Sequence, residues 1–226
     1  MIRKAAACAV IALLAAAGGA AAGPPGPLHP LPRQRQRFFT FDRDAAGGLP
    51  AGLDFGIVGR GPAVHWEVRR DARAPSAPNV LVQTGQTAGG DNLALALVAG
   101  LTAADAELTV RFMPLGGQEA QGAGFIYRYQ DPENFYLVWA NGKDETCLLT
   151  RVKKGKFKIL DTQDAIVTGG VWHTLHLVFA KNTYAIYLDE ELVMAGKDKG
   201  LLAPGRVGLC IRGDASASFD DFQVSD

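Results

Sequence analysis

Apolar and polar positions alternate with a period of two along most of this chain. Such alternation predicts half-buried strands. Residues 122–141 are the most informative segment, because two runs rich in aromatic and β-branched residues flank the polar tetrapeptide Asp131-Pro132-Glu133-Asn134. A short polar insert between two such runs predicts a hairpin turn. The segment therefore predicts a strand, a turn and a returning strand.

The same pattern recurs on both sides of this segment. It predicts further strands at about residues 65–70, 80–84, 92–98, 106–114, 146–152, 157–160, 172–179, 184–188, 192–195, 205–212 and 217–224. A helix remains the alternative at 93–105, because Ala and Leu favour helices. Residues 49–62 are rich in Gly and Pro and are predicted as a loop. Many short strands with frequent turns predict an all-β fold, a two-sheet antiparallel sandwich.

The first 37 residues differ in composition from the rest. Residues 1–22 begin with Arg3 and Lys4, continue as an apolar run and end in three alanines, which is typical of an export signal cleaved after Ala22. The apolar run is shorter than the about 20 residues of a membrane-spanning helix, although a retained anchor is the alternative. Residues 23–37, rich in Pro and Arg, are predicted to be an exposed linker. We expect a periplasmic or secreted protein with no membrane span after cleavage and one domain at 38–226.

The net charge and the cysteine content limit further which partners and which cellular compartment the protein can have. The formal net charge is zero at pH 7, which argues against a nucleic-acid partner because such a partner requires a concentrated basic surface. Cys147 and Cys210 remain after processing, and an oxidising compartment would let them pair. A disulfide needs Cα atoms within about 7 Å, so a disulfide and two buried free thiols both stay open.

Five segments carry a family resemblance. They are FIYRYQDPENFYLVWAN, LLTRVKKGKFKIL, VWHTLHLVFAKNTYAIYLDEELV, GRVGLCIRG and SFDDFQV. In this order they resemble the laminin-G-like modules of the concanavalin A-like lectin and glucanase superfamily, as carried by exported bacterial proteins. The resemblance covers about residues 38–226 and implies a jelly roll of two curved sheets, the concave one often binding carbohydrate. One hairpin of the pattern usually ends in Asp-Gly, whereas this chain has Asp189-Glu190-Glu191, so we expect another turn type there.

Catalytic motifs are missing from the sequence. The glucanase branch of the superfamily carries Glu-x-Asp-x-x-Glu on one strand, and this chain has no such run. Its acidic residues cluster in predicted turns, where carboxylates are ordinarily solvated. We therefore expect a non-catalytic protein, with a glycan hydrolase that uses carboxylates from separate loops as the alternative.

Carbohydrate binding is the function that the polar and aromatic strand residues favour. Aromatic faces and planar polar side chains bind sugars, and the predicted ligand-binding residues are Arg128, Tyr136, Trp139, Asn141 and Arg151. Arg128 ranks first, because an arginine inside an apolar strand needs an acidic or ligand partner. Core packing is the alternative for the aromatic residues. The partner would be a carbohydrate or another cell-envelope component, and an interaction module without a small ligand is the other alternative.

Calcium is the one cofactor that the sequence brings into consideration. Asp42 lies near the start of the domain, and Asp220 and Asp221 lie near its end. Terminal strands often pair in the superfamily, which would bring these carboxylates together as oxygen ligands.

Overall fold

Two antiparallel β-sheets packed face to face make up the part of the chain that the structure describes. The computed structural model describes residues 35–60, 64–84, 90 and 92–226. Within them the strands are β1 Gln36–Phe39, β2 Leu53–Val58, β3 Trp66–Arg70, β4 Asn79–Gln83, β5 Leu93–Val98, β6 Ala106–Gly116, β7 Gly122–Asp131, β8 Asn134–Asn141, β9 Thr146–Lys153, β10 Lys156–Asp164, β11 His173–Ala180, β12 Thr183–Leu188, β13 Glu191–Lys197, β14 Arg206–Arg212 and β15 Ser216–Ser225.

The strand order confirms the predicted all-β antiparallel sandwich. Sheet A has the order β13-β12-β11-β6-β15-β4-β3, and β1 pairs with β15 beside it. Sheet B has the order β10-β9-β8-β7-β14-β5-β2. The last two strands of the chain, β14 and β15, run through the middle of sheets B and A. The two sheets are therefore completed only when the C-terminal residues are in place.

Aromatic contacts between the sheets show which side chains face the core. Phe125 of β7 lies 6.3 Å from Phe222 of β15, and Tyr127 lies 4.7 Å from Phe179 of β11, measured between ring centroids. Side chains alternate along a strand, and residues paired across strands share a face. Tyr136 pairs with Tyr127, so it also faces the core.

The alternate residues of β8 lie on the outer face of sheet B. They are Phe135, Leu137, Trp139 and Asn141, and the first three are apolar and at most 3% exposed. Gly122 and Gly124 of β7 pair with Asn141 and Trp139 on this face. A Cβ atom at either glycine would lie 1.9 Å from a carbonyl oxygen of β8. Such crowding is expected on the compressed side of a curved sheet, where only glycine fits.

Two sequence-based boundaries differ from the structure. Residues 49–62 were expected to be a loop, but they contain β2, which pairs with β5 over its whole length. β5 itself is the predicted strand and not the alternative helix. β1 begins at Gln36, so the last two residues of the predicted linker belong to the sheet. The predicted export signal at 1–22 and the linker up to residue 34 lie outside the described residues. No helix in the described ranges is long and apolar enough to cross a membrane.

The β12–β13 turn also differs from expectation. Asp189 and Glu190 have positive φ angles of 50° and 71°, and the flanking residues Leu188 and Glu191 pair directly. Positive φ at both central residues defines the type I′ turn that Asp-Gly would have formed. The predicted change of turn type was therefore wrong, and the chain adopts this turn without glycine.

Candidate functional site

The predicted ligand residue Arg128 is buried between the sheets and is held by the protein itself. It is 3% exposed. Its guanidinium donates hydrogen bonds to the carbonyl oxygens of Ala104 (3.0 and 2.6 Å), Leu201 (2.9 Å) and Lys181 (2.6 Å). It also lies 5.2 Å from the Phe179 ring centroid. Arg128 Nη2 also lies 3.7 Å from the Asp105 carboxylate. The expected acidic partner is therefore present, and backbone carbonyl oxygens accept the hydrogen bonds.

Tyr136 and Arg151 share one internal partner, Asp198. The Tyr136 hydroxyl donates to Asp198 (2.5 Å), and Arg151 Nη1 donates to both of its carboxylate oxygens (2.8 and 2.7 Å). Burial and the bond to Asp198 raise the pKa of Tyr136 to about 12. Burial alone would raise the pKa of Asp198, but hydrogen bonds from Tyr136, Arg151 and Gly200 lower it instead. This cluster fastens the segment after β13 to sheet B.

Trp139 and Asn141 are the two predicted residues on the outer face of sheet B. Trp139 is fully buried, so its ring offers no open stacking surface. Asn141 Oδ1 accepts from the backbone N–H groups of Gln121 (3.1 Å) and Lys143 (3.3 Å), and its Nδ2 donates to Asp144 (2.8 Å). Asn141 therefore orders two loops at the end of β8.

The carboxylates considered for calcium do not form a metal site. Asp42 accepts from the Asn79 N–H (3.2 Å), and Asp220 accepts from the Ser76 N–H (2.8 Å) and hydroxyl (3.0 Å). Asp221 lies 3.7 Å from Arg111. In the described part of the chain, no group of three or more His, Cys, Asp or Glu side chains is placed to hold an ion. β1 and β15 do pair, but the partners of the three carboxylates are Asn79, Ser76 and Arg111.

Cys147 and Cys210 are free and buried. Cys147 pairs with Ala140, and Cys210 pairs with Gly124, so the two thiols lie on opposite faces of sheet B. β8 and β7 separate their strands, a distance of about 14 Å at the usual strand spacing. A disulfide cannot span this separation, which leaves the alternative of two buried thiols.

A polar cavity lies at the end of sheet B where β8 and β14 finish. Its volume is about 250 Å³, and the side chains of Glu119, Asn141, Asp144 and Arg212 line it together with Gly90, Ala120 and Gly213. The four polar side chains come from the β6–β7 loop, β8, the β8–β9 turn and β14. Carboxylate, amide and guanidinium groups are planar and make paired hydrogen bonds. We call this site the polar cavity.

Asp214 fixes the loop that carries Glu119. Its carboxylate accepts from the backbone N–H groups of Gln118 (2.5 Å), Glu119 (3.0 Å) and Ala120 (3.0 Å). Burial opposes the charge, but these backbone bonds outweigh it and lower the pKa of Asp214. Three backbone donors on one carboxylate hold a loop in one conformation, which places Glu119 beside the polar cavity before a ligand arrives.

An apolar groove of about 280 Å³ adjoins the polar cavity on the outer face of sheet B. Arg212 lines both sites. The other residues of the groove are Leu93, Leu137, Leu148, Thr150, Phe157 and Ile159. Phe157 and Ile159 belong to the edge strand β10 and are 45% and 61% exposed. We call this site the apolar groove.

Carboxylates from separate turns meet in a third, acidic cleft of about 760 Å³. It is lined by Ala165, Ile166, Leu188, Val193 and the acidic residues Asp144, Glu145, Asp164, Asp189 and Glu191. Asp189 is already engaged, because it accepts from the Thr174 N–H (2.7 Å) and contacts His173 Nδ1 (2.7 Å). His173 Nε2 in turn accepts from the Thr168 N–H (2.9 Å). His173 is therefore a buried, hydrogen-bonded residue of β11.

Sequence reasoning missed Glu119, Asp144 and Arg212 as a group. Asp144 belongs to the acidic residues that were expected to be solvated in turns, and Glu119 lies between two predicted strands. Only the pairing of β14 with β7 brings Arg212 next to β8. The sequence held a weak signal for the polar cavity. Arg212 ends an apolar strand and is followed immediately by Gly213 and Asp214.

Comparisons with known proteins support the fold. No protein-family model matches the chain, and no curated protein matches its sequence. Among solved structures, the carbohydrate-binding module CBM66 from Bacillus subtilis is similar with a TM-score of 0.59 at 17% identity, over 76% of this chain and 95% of that one. A cellulose-induced protein is similar with a TM-score of 0.61 at 10% identity, over 84% and 96% of the two chains.

A further similar structure is domain 4 of AbnA, a GH43 extracellular arabinanase from Geobacillus stearothermophilus, in complex with arabinotriose. Its TM-score is 0.57 at 10% identity, over 84% of this chain and 90% of that one. Identities this low carry the fold and no more. This chain therefore has the two-sheet antiparallel jelly-roll fold that occurs in carbohydrate-binding modules and lectin domains.

Proposed function

We propose that this protein is a carbohydrate-binding module that holds a sugar in the polar cavity. The observation that carries the proposal is the convergence of Glu119, Asn141, Asp144 and Arg212 on one cavity at the end of sheet B. Sugar hydroxyls donate and accept at once, and this set supplies acidic acceptors together with amide and guanidinium donors. The proteins of similar fold named above support the same class of ligand.

The structure supports a preorganised site. Asn141 bridges the β6–β7 loop and the β8–β9 turn, and Asp214 fixes the first of these through backbone bonds. A sugar that binds here would meet polar groups whose positions are already set, which reduces the entropy lost on binding.

Export, a periplasmic or secreted location, a cell-envelope glycan as partner and membership of the laminin-G-like modules are parts of the proposal. They rest on the sequence of residues 1–22 and on the segments that resemble those modules.

A glycan array followed by isothermal titration calorimetry tests the proposal. Asp144→Ala should weaken binding of the best glycan by about tenfold or more, because one charge-assisted hydrogen bond contributes about 1.5–3 kcal/mol. Glu133→Ala is the matched control, since Glu133 is a turn carboxylate at the other end of β8. An array without binding, or equal loss in both variants, would reject the sugar site.

The acidic cleft favours a second candidate, a glycan hydrolase with carboxylates from separate turns. Asp144, Glu145 and Asp164 approach one cleft, and glycosidases use pairs of carboxylates. Release of reducing sugar by the wild type, abolished in Asp164→Asn but not in Glu133→Gln, would support this activity. If the protein binds polysaccharide but does not cleave it, the hydrolase activity is rejected and the binding function stands.

A further inference from the structure

The apolar groove has the wrong chemistry for a free sugar. Five of its seven lining residues are apolar, and Thr150 and Arg212 are the two polar ones. A sugar placed wholly in this groove would leave most hydroxyls without partners, and each unpaired buried hydroxyl costs about 1–3 kcal/mol. The outer face of an antiparallel sheet is usually polar where it meets water, so the apolar lining requires its own explanation.

The groove adjoins the polar cavity. Arg212 lines both, so a molecule that extends from one into the other stays on a single face of sheet B. The far end of the groove is the edge strand β10, where Phe157 and Ile159 remain exposed. A ligand that matches this path is polar at one end and apolar at the other.

We propose that the protein binds an amphiphilic glycan, with the sugar in the polar cavity and an attached alkyl or acyl chain in the apolar groove. The inference rests on the proposed function and deepens it by naming the ligand class. The groove has a volume of about 280 Å³, which limits the attached chain to a moderate length. Leu137, Leu148 and Ile159 supply the aliphatic contacts along it.

A chain-length series measures the contribution of the groove. The probes are methyl, butyl, hexyl and octyl β-D-glucosides, each below its critical micelle concentration, titrated into the full chain by calorimetry. Burying one methylene contributes about 0.8 kcal/mol, so affinity should increase about three- to fourfold per added methylene until the groove is full. The octyl chain should give measurable binding even if another sugar is preferred, because its contribution does not depend on the sugar.

Two variants test whether the alkyl chain binds in the groove or adheres to any exposed apolar surface. Ile159→Asp places a charge in the groove and should flatten the increase of affinity with chain length. Leu192→Asp changes an equally exposed apolar residue of β13, 53% exposed, and should leave the increase unchanged. Both positions lie on the surface, and thermal unfolding confirms that each variant folds.

The outcomes distinguish failure of the groove from failure of the sugar site. Affinity that is independent of chain length, or no binding of octyl glucoside, overturns the amphiphilic ligand. Chain-length dependence that survives Ile159→Asp overturns the assignment to the groove. If the octyl chain increases affinity but Asp144→Ala has no effect, the groove remains the site of the alkyl chain and the placement of the sugar in the polar cavity is rejected.

Discussion

At the scale of single residues, the strongest sequence signals for binding turned out to mark internal structure. Arg128, Tyr136 and Arg151 are all satisfied by partners in the same chain, and Arg128 and Tyr136 are both buried. The physical premise was correct, because a strand arginine does require a partner. The sequence could not reveal that carbonyl groups of Ala104, Lys181 and Leu201 supply it.

Arg128→Ala should therefore reduce stability and not affinity. The substitution leaves one buried and two partly buried carbonyl oxygens without their donor, and removing one partner of a buried charged network costs about 3 kcal/mol or more. Urea unfolding followed by tryptophan fluorescence measures this loss. Arg73→Ala, an exposed ion pair with Asp71, should change stability by less than about 1 kcal/mol. A stable Arg128→Ala variant with lost glycan binding would restore the ligand role.

Asp220 should make stability fall as the pH rises towards neutrality. Burial raises the pKa of this carboxyl from 3.8 to about 6, against hydrogen bonds from Ser76 and Asp221 that lower it. The folded state holds the Asp220 proton more tightly than the unfolded chain does, so the stabilisation from this proton is fully present below about pH 4. This contribution to the free energy of unfolding, about 3 kcal/mol at most, is lost between about pH 4 and 6.

Asp220→Asn should remove that part of the pH dependence. The unfolding free energy is measured at pH 4, 5, 6 and 7. Its slope against pH, and not its absolute value, is compared between the variants. Asp221→Asn is the comparison, because Asp221 is half-exposed and pairs with Arg111. It should keep most of the slope, since burial, and not the neighbouring Asp221 charge, is the main cause of the raised pKa of Asp220. An identical slope in Asp220→Asn and the wild type would assign the pH dependence to other groups.

At the scale of elements, period-two alternation predicted the strands that have one clearly apolar face. β6 and β11 follow it. β7 and β8 are buried on both faces and were predicted from their aromatic and β-branched runs. β2 was missed, since Gly56 interrupts its pattern and Gly and Pro surround it. Its partner β5 lies nearly forty residues later and could not be identified from local sequence. The polar cavity was missed for the same reason, because its four polar side chains come from segments that only sheet pairing brings together.

The β12–β13 turn offers a stabilising substitution. Glu190 has a φ of 71°, and a left-handed conformation costs a non-glycine residue about 1–2 kcal/mol. Glu190→Gly should stabilise the protein by about 1 kcal/mol, partly offset by greater freedom of the unfolded chain. Thermal unfolding measures the shift.

The β9–β10 turn supplies the matched control. Lys154 and Gly155 there have φ angles of 52° and 70°, so that turn already has glycine in the second central position. Gly155→Glu should destabilise by a similar amount. No gain from Glu190→Gly would mean that contacts of the Glu190 side chain compensate the strain.

At the scale of the whole molecule, the sandwich encloses both thiols that an exported chain would carry. Cys147 faces the core from β9 and Cys210 lies on the outer face of β14, yet both are fully buried. Burial raises the pKa of Cys147 to about 12 and also raises that of Cys210. Thiolates are the reactive form, so both residues should be inert in the native state even under oxidising conditions.

Thiol reactivity should consequently report global unfolding. With Cys8 replaced by serine, Ellman's reagent at pH 8 should label neither remaining thiol in native buffer and both in urea. The labelling rate should follow the unfolding equilibrium, because both β9 and β14 lie inside sheet B and cannot open separately. Unchanged migration on gels with and without reductant would confirm that no disulfide forms. Rapid labelling of one cysteine in native buffer would show that its side of sheet B opens alone, and the sandwich would then not be a single cooperative unit.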